Sequence, residues 1–296
     1  MKNTIYQGSG VAIVTPMNDD GSINYEQFRN NINYQIENGT DAIVVCGTTG
    51  ESSTMTDEEH IECMRFTVEV VNKRVPVIAG TGSNDTRYAI ELSQEAEKVG
   101  VDALLVVTPY YNKSSQHGLV KHFNMIADSV NIPIILYNIP GRTGVNINIE
   151  TYVELAKHKN IVAVKEASGN IGYVAQIIEA CGDVLDVYSG NDDQIVPIMS
   201  LGGKGVISVV ANILPQMTHD MTEYCLKNDF IKSSQIQIQY LDLINNLFID
   251  VNPIPIKEAM NMMGFNAGEC RMPLVRMCDK NIEKLKNSLM KYELVK

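Results

Sequence analysis

The sequence lacks any apolar run close to the roughly 20 residues that a membrane-spanning helix needs. Its opening stretch, MKNTIYQGSG, also lacks the apolar centre and the small-residue cleavage site of a signal peptide. These two absences exclude the patterns by which a chain enters or crosses a membrane. We therefore predict a cytoplasmic protein with no membrane partner.

Basic residues are also scarce. The chain has 24 Lys and Arg against 35 Asp and Glu, which gives a formal net charge of −11. Binding to nucleic acid or to an anionic membrane depends on many basic contacts with phosphates. The acidic excess therefore disfavours nucleic acid and anionic lipid as partners, and it indicates a solvated exterior.

Paired metal ligands and a disulfide framework are missing as well. The six cysteines include no C-x-x-C pair, and the five histidines have no metal-ligand spacing. We expect no metal site, and we expect the cysteines to be reduced thiols that mostly pack as small apolar side chains. The cysteines are Cys46, Cys63, Cys181, Cys225, Cys270 and Cys278, and the histidines are His60, His117, His122, His158 and His219.

What the chain does contain is a regular alternation of two patterns. Short β-branched runs, nearly continuous in apolar residues, are separated by stretches of helical period with polar faces. Continuous apolar runs are typical of parallel strands that are covered on both faces. Eight such β-then-α units predict an α/β fold of the (β/α)8 or TIM-barrel type. The runs are GVAIVTP (10–16), DAIVVCG (41–47), VPVIAGT (75–81), DALLVVTP (102–109), IPIILYN (132–138), NIVAVKE (160–166), VLDVYSG (184–190) and GVISVVA (205–211).

An open doubly wound sheet is the structural alternative. It usually has fewer strands and a nucleotide-binding glycine loop near its start. Here GTGSND (80–85) lacks the third glycine of a dinucleotide motif, and GGKG (202–205) lacks the Ser or Thr that follows a phosphate-loop lysine. We therefore prefer the barrel. Only helical patterns follow it, so we expect a catalytic barrel over residues 1–224 and a helical region over residues 225–296 packed beside it.

The active site of such a barrel is built at the carboxyl ends of the strands. Lys165 ends the sixth apolar run, where burial can lower its pKa enough to leave a neutral amine. A neutral amine attacks a ketone or aldehyde to form an imine, and the imine then acts as an electron sink. Tyr111, Tyr137 and Thr49 follow other strands and carry the hydroxyls that a proton shuttle needs.

Each of these residues also has a plainer interpretation. A lysine after an apolar strand is more often on the surface or paired with a carboxylate, here with Glu166. Tyr110 and Tyr111 are, taken alone, packing residues with a polar tip. Arg142, in a turn, is by default a solvated arginine.

Four sequence blocks in order decide between these interpretations. They are GTTGES (47–52), TPYYN (108–112), YNIPGRTG (137–144) and VAVKEASGN (162–170), followed by GGKGVIS (202–208) and, in the tail, NPIPIKEAM (252–260). Together they resemble the dihydrodipicolinate synthases, within the pyruvate-dependent class I aldolases that include N-acetylneuraminate lyase. The resemblance covers essentially the whole chain. It implies condensation of pyruvate with L-aspartate 4-semialdehyde, a step of lysine and diaminopimelate biosynthesis.

The resemblance also assigns roles. Lys165 would hold pyruvate as a covalent imine, with no other cofactor, and Tyr137 would relay protons. Thr49 would join Tyr137 to Tyr111, which would come from a neighbouring subunit of a homotetramer built as a dimer of dimers. In addition, Thr48 would hold the pyruvate carboxylate, Arg142 would bind the semialdehyde carboxylate, and backbone carbonyls of Gly190 and Ile207 would line the pocket.

Two other functions are weighed against this one. A sugar-acid aldolase or lyase of the same superfamily would share Lys165 and Tyr137, but such enzymes generally lack an arginine at the position of Arg142. A barrel that only binds a ligand and regulates would be expected to miss a catalytic residue, and none is missing. Arg142 therefore favours the synthase.

The resemblance finally raises the question of feedback by lysine. Lysine-sensitive members bind the amino acid in a cleft between paired subunits, and four lining positions match: Ser52, His60, Asn84 and Tyr110. Two positions differ. Asp57 stands where a histidine is typical, and Tyr88 stands where a glutamate would pair the ligand's ammonium. Removing the partner of a buried charge is costly, so we predict that inhibition by lysine is weak or absent.

Overall fold

The computed structural model describes residues 4–296. Eight parallel strands form a closed barrel in chain order, and β1 closes it by pairing with β8. The predicted barrel is thus confirmed, and each apolar run contains or overlaps one strand. The strands are β1 (Gly8–Ala12), β2 (Ala42–Val45), β3 (Val77–Gly80), β4 (Ala103–Val107), β5 (Ile134–Asn138), β6 (Ile161–Glu166), β7 (Asp186–Ser189) and β8 (Gly205–Ser208).

The strands are apolar throughout because each alternates between two buried environments. In β2, Ile43 and Val45 pack in the layer between the sheet and the helices, whereas Ala42 and Val44 belong to the cluster inside the barrel. Successive side chains of a strand point to opposite faces. Since both faces are covered, no position of the strand is left for a polar residue, which explains the continuous runs.

Helices cover the outside of the barrel between the strands. Their ends follow local chemistry: α2 (Asp57–Val71) begins with a capping box between Thr56 and Glu59. The carboxyl end of α3 (Thr86–Val99) is capped by Gly100, whose φ of 91° suits a glycine. The helices of this layer are α1 (Tyr25–Glu37), α2 (Asp57–Val71), α3 (Thr86–Val99), α4 (Gln116–Asp128), α5 (Pro140–Thr143), α6 (Ile149–Leu155), α7 (Ile171–Cys181) and α8 (Ile195–Ser200).

The remaining chain is helical, as predicted. The helices are α9 (Pro215–Leu226), which follows β8, then α10 (Phe230–Asn246), α11 (Ile254–Met262) and α12 (Asp279–Lys291). A single apolar cluster joins Val206 and Val210 of the barrel to residues of all four helices. The division at residues 224 and 225 stays a prediction. Within residues 4–296, every helix is too short or too polar to cross a bilayer.

Candidate active site

Register places the key side chains side by side at the carboxyl ends of three neighbouring strands. Tyr137 of β5 pairs with Lys165 of β6, and Lys165 pairs with Tyr188 of β7. The Nζ atom of Lys165 lies 4.4 Å from the centre of the Tyr137 ring. Parallel strands present paired residues to the same face, so all three side chains point into the barrel. Tyr188 is directed away from the carboxyl end, because its hydroxyl donates to the backbone carbonyl of Tyr6, ahead of β1, at 2.6 Å.

Lys165 is a buried amine, 6% exposed. Its pKa is lowered to about 8, mainly by burial; the negative charge of Asp192 opposes this shift, and the positive charge of Arg142 adds to it. The plainer interpretations of this lysine therefore fail. It is not on the surface, and the carboxylate of Glu166 is held elsewhere, by Asn138 Nδ2 at 2.9 Å and the backbone N–H of Ser168 at 2.6 Å.

Tyr137 is a protonated phenol at neutral pH. Burial raises its pKa to about 12, and the positive charge of Arg142 and a hydrogen bond with Thr48 limit the rise. A phenol beside a neutral amine can donate a proton to an oxygen that leaves the same carbon. This pair can therefore support formation and loss of a carbinolamine.

The two adjacent threonines have different contacts in this chain. The roles that the resemblance implies for them, the proton relay for Thr49 and the pyruvate carboxylate for Thr48, stay predictions. The hydroxyl that contacts Tyr137 belongs to Thr48. The Oγ1 atom of Thr49 instead accepts a hydrogen bond from Asn252 Nδ2 at 3.0 Å. The tight turn from Gly47 to Gly50, closed by a 3.1 Å backbone hydrogen bond, gives the two side chains different directions, so only one of them reaches β5.

Arg142 lies on the short helix α5 at the rim. Its Nη2 donates to the backbone carbonyl of Asn252 at 3.0 Å, and the side chain lines a cavity of about 420 Å³ together with Tyr137 and Thr48. The guanidinium of Arg142 and the phenol of Tyr137 thus line the same cavity. A fork of N–H donors at this position suits a carboxylate.

Gly190 lies close to Lys165, and Ile207 lies inside the barrel. A Cβ atom at Gly190 would meet Lys165 Cε at 3.2 Å and Ala167 Cβ at 2.7 Å, so only glycine leaves the amine its place. Ile207 is fully buried inside the barrel, in one cluster with Tyr137 and Tyr188. Both residues thus shape the floor of the site.

Tyr111 is not brought to Tyr137 within this chain. Its side chain is 92% exposed, and its backbone has a φ of 68°. A positive φ is an outlier for a bulky residue, and such strain persists where the surroundings or the function require it. The neighbouring Tyr110 is also exposed but lines the cavity described above.

The predicted regulatory cleft is partly continuous with the same cavity, which Ser52, His60, Tyr88 and Tyr110 also line. Asn84 lines a separate surface cavity of about 680 Å³. The two positions that differ from lysine-sensitive members contact each other, because Tyr88 donates from its hydroxyl to Asp57 Oδ1 at 2.7 Å.

Sequence reasoning missed the residues that support the site from behind. Asn252 contacts both Thr49 and Arg142, and a buried ion pair of 2.7 Å joins Glu51 to Lys257. The blocks GTTGES and NPIPIKEAM contain all three supporting residues, but contacts across about 200 positions leave no periodic signal. Asp192 was missed too, although it lies only three residues after the end of β7. It is buried and accepts backbone hydrogen bonds from Val209 at 3.0 Å and Val210 at 2.8 Å.

A candidate group of metal ligands lies at the other end of the barrel. Among residues 4–296, His219, Asp220 and Glu223 come close enough to share an ion. The Nδ1 atom of His219 is already 3.1 Å from Asp41 Oδ2, at the amino end of β2. This group is therefore separate from Lys165 and Tyr137.

Fold and site together define a class: a (β/α)8 barrel whose buried strand-end lysine, beside a tyrosine, is arranged for imine chemistry. The model of the dihydrodipicolinate synthetase family matches residues 6–292. The chain therefore belongs to the dihydrodipicolinate synthetase family.

Individual relatives agree over their full length. The chain is 57% identical over 293 residues to a 4-hydroxy-tetrahydrodipicolinate synthase of Thermoanaerobacter sp. (strain X514), covering 99% of this chain and 98% of the relative. It is 56% identical to the enzyme of that name from Clostridium perfringens, covering 99% and 100%. A solved dihydrodipicolinate synthase from Acinetobacter baumannii, complexed with pyruvate, is similar with a TM-score of 0.97 and 43% identity, covering 99% and 100%.

Proposed function

We propose that this protein is a lyase that condenses pyruvate with L-aspartate 4-semialdehyde to give 4-hydroxy-tetrahydrodipicolinate, in lysine and diaminopimelate biosynthesis. The observation that carries the proposal is the buried amine of Lys165, with a pKa of about 8, lying 4.4 Å from the ring of Tyr137. Family membership supports this reaction over a sugar-acid aldolase, and so does a guanidinium at the rim.

The reaction begins when the neutral amine of Lys165 attacks the ketone carbon of pyruvate. Tyr137 protonates the departing hydroxyl of the carbinolamine, water leaves, and an iminium forms. The iminium withdraws electrons, so the methyl group loses a proton and becomes an enamine carbon. We assign Thr48, which contacts Tyr137, to the relay that returns this proton to the phenol.

The enamine carbon then attacks the aldehyde of the second substrate, and the new alkoxide takes a proton from the relay. The amino group of that substrate attacks the iminium carbon and displaces the amine of Lys165, which closes the six-membered ring. All carbons come from the two substrates, and the lysine is regenerated. The covalent imine of Lys165 with pyruvate is the only cofactor that this scheme uses.

Each substrate carries a carboxylate, and the site has separate donors for the two. Thr49, whose hydroxyl oxygen is already held by Asn252, would donate to the pyruvate carboxylate together with backbone N–H groups of its turn. Arg142 at the rim would bind the carboxylate of the semialdehyde. Carbonyl groups of Gly190 and Ile207 would line the floor.

The active unit would be a homo-oligomer. Tyr111, 92% exposed and held at a φ of 68°, would enter the site of a neighbouring subunit and extend its proton relay. We further propose a tetramer made of two such dimers, located in the cytoplasm, where the six free cysteines would stay reduced.

Reduction with borohydride in the presence of pyruvate tests the covalent step. Mass spectrometry should find a three-carbon adduct on the peptide that contains Lys165. Lys165→Arg should yield no adduct and almost no activity, because a guanidinium stays protonated. Lys121→Arg, a surface change outside the site, serves as the control. An adduct confined to another lysine would refute the assignment.

A coupled assay with L-aspartate 4-semialdehyde tests the second substrate. Arg142→Ala should raise the KM for the semialdehyde about ten- to a hundredfold, because a charged hydrogen bond is lost, with a much smaller effect on pyruvate. Arg65→Ala removes an exposed arginine of α2 and should change neither value. Equal effects on both substrates would assign Arg142 a structural role.

A further inference from the structure

Asn252 lies in the helical region beside the barrel, yet it reaches the active site in two ways. Its side chain donates from Nδ2 to Thr49 Oγ1 at 3.0 Å, and its backbone carbonyl accepts from Arg142 Nη2 at 3.0 Å. The residue is 6% exposed. One residue thus touches the two side chains that the proposed function assigns to the two substrate carboxylates.

The contact with Thr49 decides what that hydroxyl can do. A threonine hydroxyl has one proton to donate and lone pairs to accept with. Because the amide N–H of Asn252 occupies a lone pair of Oγ1, the hydroxyl oxygen is fixed and its proton is left for another acceptor. Thr49 is 2% exposed, so the acceptor must lie inside the site, where a carboxylate oxygen fits.

The second polar atom of the Asn252 side chain indicates which contact this residue is placed to make. The other side-chain atom of Asn252, Oδ1, is buried without a hydrogen-bond partner among residues 4–296. Such atoms are uncommon, because packing alone gives no reason to bury an unsatisfied acceptor. Asn252 is therefore placed to serve Thr49 rather than to satisfy its own amide.

The loop that carries Thr49 is held from the same region. Glu51, two residues on, forms a 2.7 Å ion pair with Lys257, and its other oxygen accepts from the backbone N–H of Arg271 at 2.9 Å. These contacts fix the turn against α11 and the segment behind it. Asn252 then needs only to set the direction of one hydroxyl.

Resting on the proposed function, we propose that Asn252 is a positioning residue for pyruvate, which aims the Thr49 hydroxyl at the pyruvate carboxylate. Its effects on the two substrates should separate. A side-chain change removes the contact with Thr49 but keeps the backbone carbonyl that holds Arg142. Affinity for pyruvate should fall, and the KM for the semialdehyde should stay close to its original value.

The test is a double-mutant cycle of Asn252→Ala and Thr49→Val, read by borohydride trapping at increasing pyruvate, without the second substrate. Asn252→Ala should raise half-saturation by pyruvate about tenfold. Thr49→Val should raise it at least as much, and the double variant should show no further increase, since Asn252 acts through Thr49. Asn245→Ala, on the exposed side of α10, should leave half-saturation unchanged.

Asn252→Asp guards against a loss that comes only from misfolding. It keeps the shape of asparagine but can only accept from Thr49, so it draws the hydroxyl proton away from pyruvate. When Thr49 is present, Asn252→Asp should raise half-saturation by pyruvate in the trapping assay. When Thr49→Val is already in place, the same change should raise half-saturation much less. Circular dichroism and thermal unfolding check that each variant is folded.

The outcomes separate the two proposals. Absence of any pyruvate adduct on the unaltered protein would overturn both. A normal adduct with unchanged half-saturation in Asn252→Ala and Asn252→Asp would overturn the positioning role alone. So would independent, multiplicative effects of the two single changes, because they would mean that Asn252 does not act through Thr49.

Discussion

At the scale of single residues, the site depends on a balance of charge around Lys165. Burial lowers the pKa of the amine to about 8, and the carboxylate of Asp192 keeps it from falling further. A fully neutral amine would attack pyruvate readily, but the iminium that follows is positive and gains from a nearby negative charge. Asp192 therefore stabilises the iminium cation, although it also reduces the fraction of Lys165 that is neutral before the reaction.

This balance predicts a pH dependence. The reactive form is the neutral amine, whose fraction rises as pH approaches the pKa of about 8. The value of kcat/KM for pyruvate reports the free enzyme, so it should rise about tenfold per pH unit below that pKa and level off above it. Steady-state assays between about pH 6 and 9 measure this profile.

Changing Asp192 tests the direction in which its charge shifts the pKa of Lys165. Since the charge of Asp192 raises the pKa of Lys165, Asp192→Asn should shift the rise to lower pH. The asparagine keeps an oxygen for the backbone N–H groups of Val209 and Val210. A profile that is flat over the whole range, or that moves to higher pH in the variant, would contradict the assignment.

At the scale of elements, the barrel could be predicted and the loops could not. The apolar runs identified all eight strands because every strand is covered on both faces. The first run, however, extends to residue 16, whereas β1 ends at Ala12. Beyond it, Val14 N–H donates to the side chain of Asn212, which is a distant contact that has no counterpart in local periodicity.

The active site shows the same contrast between strands, which could be predicted, and loops, which could not. Strand ends fixed the positions of Lys165 and Tyr137, because register along a barrel is regular. The assignments of Thr48 and Thr49 depend on the geometry of one turn, which sequence spacing does not reveal; within this chain, Thr48 contacts Tyr137. The contribution of Asn252 depends on how α11 and its preceding loop dock on the barrel mouth, which no motif encodes.

The buried ion pair between Lys257 and Glu51 carries a prediction at this scale. Both side chains are almost fully buried, 2% and 1% exposed. Lys257→Met should leave the carboxylate of Glu51 without its partner and destabilise the protein by about 3–5 kcal/mol, whereas the double change with Glu51→Gln should recover part of the loss. Urea unfolding measures the free energy of unfolding of each variant.

An ion pair between α11 and the segment before α12 supplies the control. Glu258 and Arg276 are joined at 3.1 Å, but the arginine is exposed. Surface pairs contribute little, so Arg276→Met should change the unfolding midpoint far less than Lys257→Met. Similar losses for the two changes would mean that α11 as a whole, rather than the buried pair, is sensitive to substitution.

At the scale of the whole molecule, the chain leaves its site open at Tyr111. The phenol is exposed to solvent although its backbone is strained, and a second subunit would give both features a reason. An interface of two-fold symmetry would supply a tyrosine to each site in exchange. In such an arrangement, assembly of the oligomer would be required for catalysis.

Complementation between inactive subunits tests this exchange. Tyr111→Phe and Lys165→Ala subunits are each expected to be inactive, but a mixed dimer has one site with both residues intact. After random exchange, half of the dimers are mixed and each has one good site, so about a quarter of the original activity should return. A mixture of Tyr137→Phe and Lys165→Ala is the control, because both residues act within one subunit and no intact site can form. No recovery despite proven exchange would refute the shared site.

Regulation by lysine is the last property that the assembled molecule decides. The cleft would lie where subunits meet, and it contains Asp57 and Tyr88 where sensitive relatives typically have histidine and glutamate. Tyr88 donates to Asp57 at 2.7 Å, and burial, reinforced by Asp57, raises the pKa of this phenol to about 12. The Asp57 carboxylate, which would otherwise pair an ammonium, already accepts this hydrogen bond, and the phenol stays neutral. We expect that lysine does not half-inhibit the enzyme at concentrations below about 1 mM, because its binding free energy at this cleft would be small.

Asp57→His combined with Tyr88→Glu should make the enzyme sensitive to lysine. Tyr88→Glu alone should do so less, because its carboxylate would face that of Asp57. Steady-state assays with lysine measure all three proteins, and strong inhibition of the unaltered enzyme would show that the cleft binds lysine despite the hydrogen bond between Tyr88 and Asp57.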